Sequence, residues 1–170
     1  MSIADGLDYK PYTIFMSPQG SVFNQDKAIE LSNYKHIVLL CGHYEGVDER
    51  VLEEIVDEQI SIGDFVLTGG ELPALVITDA VCRMCEGVLK SSEGFMEESH
   101  YNGLLEHAQY TRPYEWMGRK VPDVLLSGHE KNIKEFRFND SLARTKEKRP
   151  DMYEEYIRNN PLPEKKKGKK

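Results

Sequence analysis

Apolar residues fall in short runs between glycine- and proline-marked turns in the first half of the chain, and recur at helical spacing in the second. Tyr12–Met16 (YTIFM) predicts a strand, stopped by Ser17-Pro18-Gln19-Gly20, where Pro18 and Gly20 are turn formers. A short helix follows from Asn24 or Gln25 to Ser32. His36–Cys41 (HIVLLC) is continuously apolar, the pattern of a central parallel strand buried on both faces. Gly42–Gly46 reads as a loop. Val51, Leu52, Ile55 and Val56 sit at helical spacing within Asp48–Val56, with Asp48 as N-cap. Gln59–Ile62 and Phe65–Thr68 read as strands. Glu71–Glu86 reads as a long helix ending near Gly87, with Pro73 in its first turn and Leu72, Leu75 and Val76 at helical intervals. Lys90–Arg112 is polar with little periodicity, and loops of that length are functional or disordered. Val121–Leu126 is short and apolar. From His129 to Pro150 the pattern is helical through Ile133, Phe136 and Leu142, and Asp151–Arg158 is a last helix capped by Asp151.

The order β-α-β-α-β-β-α predicts an open, mostly parallel α/β sheet, with a second, helical domain beginning between Gln109 and Pro122. A length of 170 residues suits one domain plus a small appendage. No run approaches the roughly 18 apolar residues of a membrane span. MSIADGLDYK has neither the basic region nor the apolar run of a signal peptide, and Cys41, Cys82 and Cys85 cannot all pair, so reduced thiols in a cytoplasm are expected. The net charge of −7 is unevenly spread: 9 Lys+Arg against 20 Asp+Glu in residues 1–120, but 13 against 9 in residues 121–170. The basic C-terminal third suits a polyanion, although KKKGKK at the end reads equally as a solubilising tail.

Three loops follow predicted strands: Ser17–Gly20, Gly42–Gly46 and Ile62–Gly70. In a parallel sheet such loops share one edge, and together they would make a glycine-lined pocket rich in main-chain donors and acceptors. Neither GxGxxG nor GxxxxGK[ST] is present, so a nucleoside-type ligand held by backbone is expected rather than a pyrophosphate. Cys82-x-x-Cys85 with Cys41 and His43 invites a zinc reading. Both helix cysteines lie in an apolar stretch, however, and buried thiols with no metal site are expected. Trp116 and its neighbouring tyrosines suit base stacking or packing equally.

The segments SPQG, CGHYEGVDER, SIGDFVLTGGELP, GLLEHAQYTRP and VPDVLLSGH, in this order and spacing, closely resemble the bacterial tRNA (guanine-N1)-methyltransferases of the knotted SPOUT class. The resemblance runs from about Lys10 to about Arg158, and a trefoil knot is what it implies for the fold, rare as true knots are. It further implies a knotted domain over residues 1–110, a linker over 111–122, a helical tRNA-binding domain over 123–160 and a basic tail over 161–170. By motif matching, S-adenosylmethionine (SAM) would be held by Phe15, Ser17, Pro18, Gly42, Tyr44, Glu45, Gly46, Ile62, Gly63, Leu67, Gly69, Gly70 and Pro73. A homodimer gripping the anticodon branch of tRNA, and methylation of the guanine 3′ of the anticodon, are also implied. Magnesium assistance is a family expectation that no residue here demands.

Guanine N1 carries a proton at neutral pH, so a carboxylate base must remove it and a cation beside O6 must stabilise the charge that builds there. By resemblance the cation is Arg83 and the base is Glu98, with Glu97 adjacent and equally assignable. The family has an aspartate followed by Ser-Phe where this chain has Glu98-Ser99-His100; His100 and His107 are additional proton carriers to weigh. The family pattern also places about seventy residues ahead of the first match, where this chain has Met1–Tyr9, so exposed strand edges and apolar helix faces are expected to need a partner. A catalytically impaired homologue acting as an RNA- or SAM-binding module is the alternative reading.

Overall fold

The apolar run beginning at Tyr12 forms strand β1 (Tyr12–Val22), the middle of a three-stranded parallel sheet ordered β2-β1-β3. A computed structural model describes residues 8–43, 46–89 and 98–161, and contacts divide the chain into two units, Met1–Ser92 and Glu93–Lys170. In the first unit, helix α1 (Gln25–Leu31) links β1 to β2 (Ile37–Cys41), and helix α2 (Glu49–Ile55) links β2 to β3 (Glu58–Ser61). Side-chain oxygens open both helices: Asn24 accepts from the Lys27 amide, and Asp48 from the Arg50 amide. Helix α3 (Glu71–Cys82) follows.

Alternation along β1 sorts its side chains between faces. Ile14 and Met16 join Ile60 of β3, Ala28 and Leu31 of α1, and Ile77 and Val81 of α3 in one buried core. Phe15, on the opposite face, is 8% exposed. At the start of β1 the Asp57 carboxylate accepts from the Thr13 amide at 2.8 Å and from Lys10 Nζ at 2.6 Å, while the Asp57 amide donates to the Thr13 carbonyl. The Lys10 ammonium, then the Thr13 amide, hold this carboxyl below the usual aspartate range.

Four elements differ from expectation. The Ser17–Gly20 turn is instead an excursion within β1: Ile60 faces both Met16 and Ser21, so residues 17–20 loop out and pairing then resumes. Pro18 has no amide for the ladder, and Gly20 lies so close to the Gln59–Ile60 backbone that no Cβ would fit. Strand β2 is half-buried along its length, because it lies at an edge of the described sheet rather than at its centre. Phe65–Thr68 finds no strand partner; Gly63, at φ 147°, redirects the chain, and Phe65 (54% exposed) and Val66 (79%) stand in a loop. Helix α3 stops at Cys82, so Arg83 is its C-cap rather than an interior residue.

The second unit holds a two-stranded antiparallel hairpin, β4 (Glu115–Trp116) and β5 (Arg119–Lys120), a 3₁₀ turn at Asp123–Leu126, and helices α4 (Glu130–Lys148) and α5 (Pro150–Asn159). Pro150 occupies the first turn of α5. Asp151 does not cap α5 as expected, since its carboxylate is engaged by the Arg149 guanidinium, which holds it down to about 2. The segment after Glu98 is fastened to α4 by two side chains. Thr145 Oγ1, fully buried, accepts from the Leu105 amide at 2.9 Å and donates to the Ser141 carbonyl at 2.6 Å. Asp140 accepts from the Ala108 amide at 2.7 Å and from Arg144 Nε at 3.0 Å.

A depressed folded pKa makes the stability from Asp57 complete above the unfolded value of about 4 and removes it as pH falls through the lower folded value. Asp57→Ala should therefore lower the urea midpoint at neutral pH, with the gap to wild type closing in acid; a pH-independent gap would contradict this account.

Candidate functional site

The ends of β2 and β3 and the excursion in β1 open onto a cavity of about 380 Å³ in the first unit. Parallel strands deliver their following loops to one edge, so residues far apart in sequence meet there. Of the sequence-predicted ligand residues, Phe15, Ser17, Pro18, Gly42, Gly46, Ile62, Leu67, Gly69, Gly70 and Pro73 line this one cavity. Gly63 lies in the same loop beside Ile62 without lining it, and Tyr44 and Glu45 lie outside the described residues. Gln19, His43, Phe65, Val66 and Thr68, members of the three predicted loops that were not named as ligand residues, also line it, as do Met16, Val47, Leu52 and Gln59, which lie outside those loops. Strand register is the signal that could have found several of them: Gln59 pairs with Phe15 in the ladder, and Leu52 is the buried position of α2.

The loops are built from short-range polar contacts and close backbone approaches. Ser17 Oγ accepts from the Gln19 amide at 3.2 Å. Ser61 Oγ both donates to the Gly63 carbonyl at 2.9 Å and accepts from the Gly63 amide at 3.1 Å, which closes the turn after β3. The Gly70 amide donates to the Gly42 carbonyl at 3.3 Å, tying the glycine turn to the loop after β2. A Cβ on Gly70 would meet Cys41 Cα at 2.8 Å and Met16 Cβ at 3.1 Å, so only glycine lets α3 begin this close to the strands. His43 Nε2 lies 2.9 Å from Glu71 Oε1, a second link between the same two segments.

Burial, with the Glu71 carboxylate adding to it, pushes the Cys41 thiol up, which disfavours the reactive thiolate. The expectation of buried cysteines needs correction: Cys82 is exposed, while Cys41 and Cys85 are intermediate. Among the described residues no three His, Cys, Asp or Glu side chains converge as metal ligands would.

Arg83 is half-buried at the C-terminus of α3, where a cation is favoured by the helix dipole. Glu98 is half-buried and belongs to the second unit. The turn it opens is ordered by Ser99 Oγ, which accepts from the Glu106 amide at 2.9 Å, and by the His100 amide, which donates to the Leu104 carbonyl at 2.9 Å. His100 takes the left-handed conformation at φ 74° and points into solvent-exposed space, and His107 Nδ1 lies 3.1 Å from the Ala108 carbonyl. Glu97 lies outside the described residues.

A protein-family model described as tRNA (Guanine-1)-methyltransferase TrmD matches residues 2–155. The chain belongs to that family. Among curated relatives, the tRNA (guanine-N(1)-)-methyltransferase of Ruminiclostridium cellulolyticum is 57% identical over 161 residues, covering 95% of this chain and 69% of the relative. The protein of the same name from Lachnospira eligens is 51% identical over 156 residues, 92% of this chain and 66% of the relative. That from Bacillus cereus is 54% identical over 146 residues, 86% and 60%. The chain thus spans 60–69% of the length of these TrmD relatives.

Substituting Gly70 by alanine should force α3 away from Cys41 and Met16, lowering stability by about 1–3 kcal/mol in urea unfolding. A variant as stable as wild type would show that this approach is not a tight one.

Proposed function

We propose that the chain is a SAM-dependent methyltransferase acting on N1 of the guanine 3′ of the anticodon in tRNA. The observation that carries this reading is the meeting of three separate loops, supplied by the motifs of a tRNA (guanine-1)-methyltransferase family member, around one cavity. Its volume of about 380 Å³ is within the range for small-molecule sites. Gly42, Gly69 and Gly70 bring backbone without side chains of their own to its lining, which suits a nucleoside-type ligand recognised by backbone. The bound donor supplies a methyl group on a positively charged sulfur.

In this reading Glu98 accepts the N1 proton as the N1–CH₃ bond forms and the sulfur–methyl bond breaks. The Arg83 guanidinium stabilises negative charge on O6. The loops would hold the donor and orient its methyl group toward the base. A trefoil knot, with the donor site in residues 1–110 and the tRNA grip in residues 123–160, completes the proposal. So does a homodimer, supported by Val66, Leu72, Leu75 and Val76 on and before α3, which are 50–79% exposed in the single chain. A cytoplasmic location follows from the tRNA substrate; among the described residues no helix is long and apolar enough to cross a membrane.

The purified chain with SAM and unmodified tRNA should yield 1-methylguanosine, detected by mass spectrometry of digested RNA. Arg83→Ala should slow single-turnover transfer by about 10²–10³-fold while leaving SAM affinity unchanged. SAM binding with no methylated product would instead support the binding-module reading, which the glutamate at position 98 motivates.

A further inference from the structure

The β4–β5 hairpin presents side chains that the fold itself has little use for. Its turn is Met117-Gly118, with φ 50° and 75°, the left-handed pair of a tight two-residue hairpin. Such a turn suits Asn-Gly; a methionine at its first position is an uncommon choice. Met117 is 82% exposed and Trp116 59% exposed, so the two most apolar residues of the hairpin stand at its tip in water. The base, by contrast, is tied down. The Tyr114 hydroxyl donates to Asp123 Oδ1 at 2.9 Å, and the Val121 amide donates to the Tyr114 carbonyl at 3.0 Å. An isolated two-stranded hairpin is marginal; the first of these bonds anchors this one to the 3₁₀ turn and the second closes its base.

Register places Trp116 directly opposite Arg119, and Glu115 opposite Lys120. Directly opposed residues project from the same face of a hairpin, so an indole and a guanidinium leave the tip side by side. Arg112 adds another cation within a few residues, while Lys120 Nζ lies 3.7 Å from Glu115 Oε2, so the one acidic group of residues 112–120 is already offset within the hairpin. A flat aromatic surface next to a guanidinium matches an unpaired nucleobase and its phosphate, since every base offers a π-face and every nucleotide a negative charge. A protein partner of the same apolar tip would gain nothing from the cations unless it were acidic.

We propose that the β4–β5 hairpin is an RNA-contacting finger, with Trp116 stacking on an unpaired base and Arg119 meeting the adjacent phosphate. This rests on the reading of tRNA as substrate and adds a contact that motif matching did not assign.

Trp116 is the only tryptophan in the chain, so its fluorescence reports the hairpin alone. Titrating the full chain with unmodified tRNA should quench this emission saturably and shield it from acrylamide. Trp116→Ala should weaken RNA binding about tenfold, Trp116→Phe should retain most of it, and Arg119→Ala should reduce the salt dependence by about one counterion. SAM affinity and the circular dichroism spectrum should be unchanged in all three. Methyl transfer with unaltered Trp116 emission would overturn the finger while leaving the proposed function standing. Quenching without transfer would support the finger and count against the activity. A concentration-dependent emission change without RNA, absent further change on adding it, would assign the hairpin to contact between copies and overturn the proposal.

Discussion

The absence of a single Cβ at position 70 governs how near helix α3 can come to the ends of β1 and β2. With only hydrogen there, the backbone of the glycine turn settles against Cys41 and Met16 and bonds to the Gly42 carbonyl. Two consequences follow together. Ile77 and Val81 reach the core shared by β1, β3 and α1, so the approach stabilises the unit. The turn itself becomes one side of the cavity, lined on the others by the β1 excursion and the loop after β2. Packing and ligand geometry are thus set by the same contact.

Much of this was legible in the residues. The Asp48 cap, the short helix beginning at Asn24 or Gln25, the apolar spacing of the second helix, and the positions of the three loops follow from local chemistry that tertiary structure does not overrule. Errors occurred where a pattern depends on neighbours. Phe65-Val66-Leu67 has strand-forming residues but pairs with no strand of the described sheet, and Gly63 turns it into the loop over the cavity. Ser17–Gly20 has turn-forming residues, yet pairing with β3 resumes beyond it, which no local signal announces. The hairpin at Glu115–Lys120 was missed because two-residue strands carry almost no periodicity, and its turn uses methionine rather than asparagine. At the site, residue identity pointed to the loops; only strand register could add Gln59 and its neighbours.

The second unit obeys a different logic. Its described elements bury few large apolar side chains, with Leu104 the buried hydrophobic among them, and they rely on polar fastenings from α4 to the segment after Glu98. Such bonds are directional, so they fix where a loop lies more sharply than apolar contact does. Charge pairs within α4 and at its end, Glu130 with Lys134 and Arg149 with Asp151, are exposed and contribute little by comparison.

Thr145 shows how narrow such a fastening can be. Its hydroxyl gives one hydrogen bond and takes another in a space closed to water, so the group there must be both donor and acceptor at the end of a single carbon. Valine has the shape without the chemistry; asparagine and cysteine have chemistry at the wrong reach or strength. For this helix position the usable alphabet shrinks to two letters, threonine and serine, although the residue carries no charge and is no candidate for catalysis.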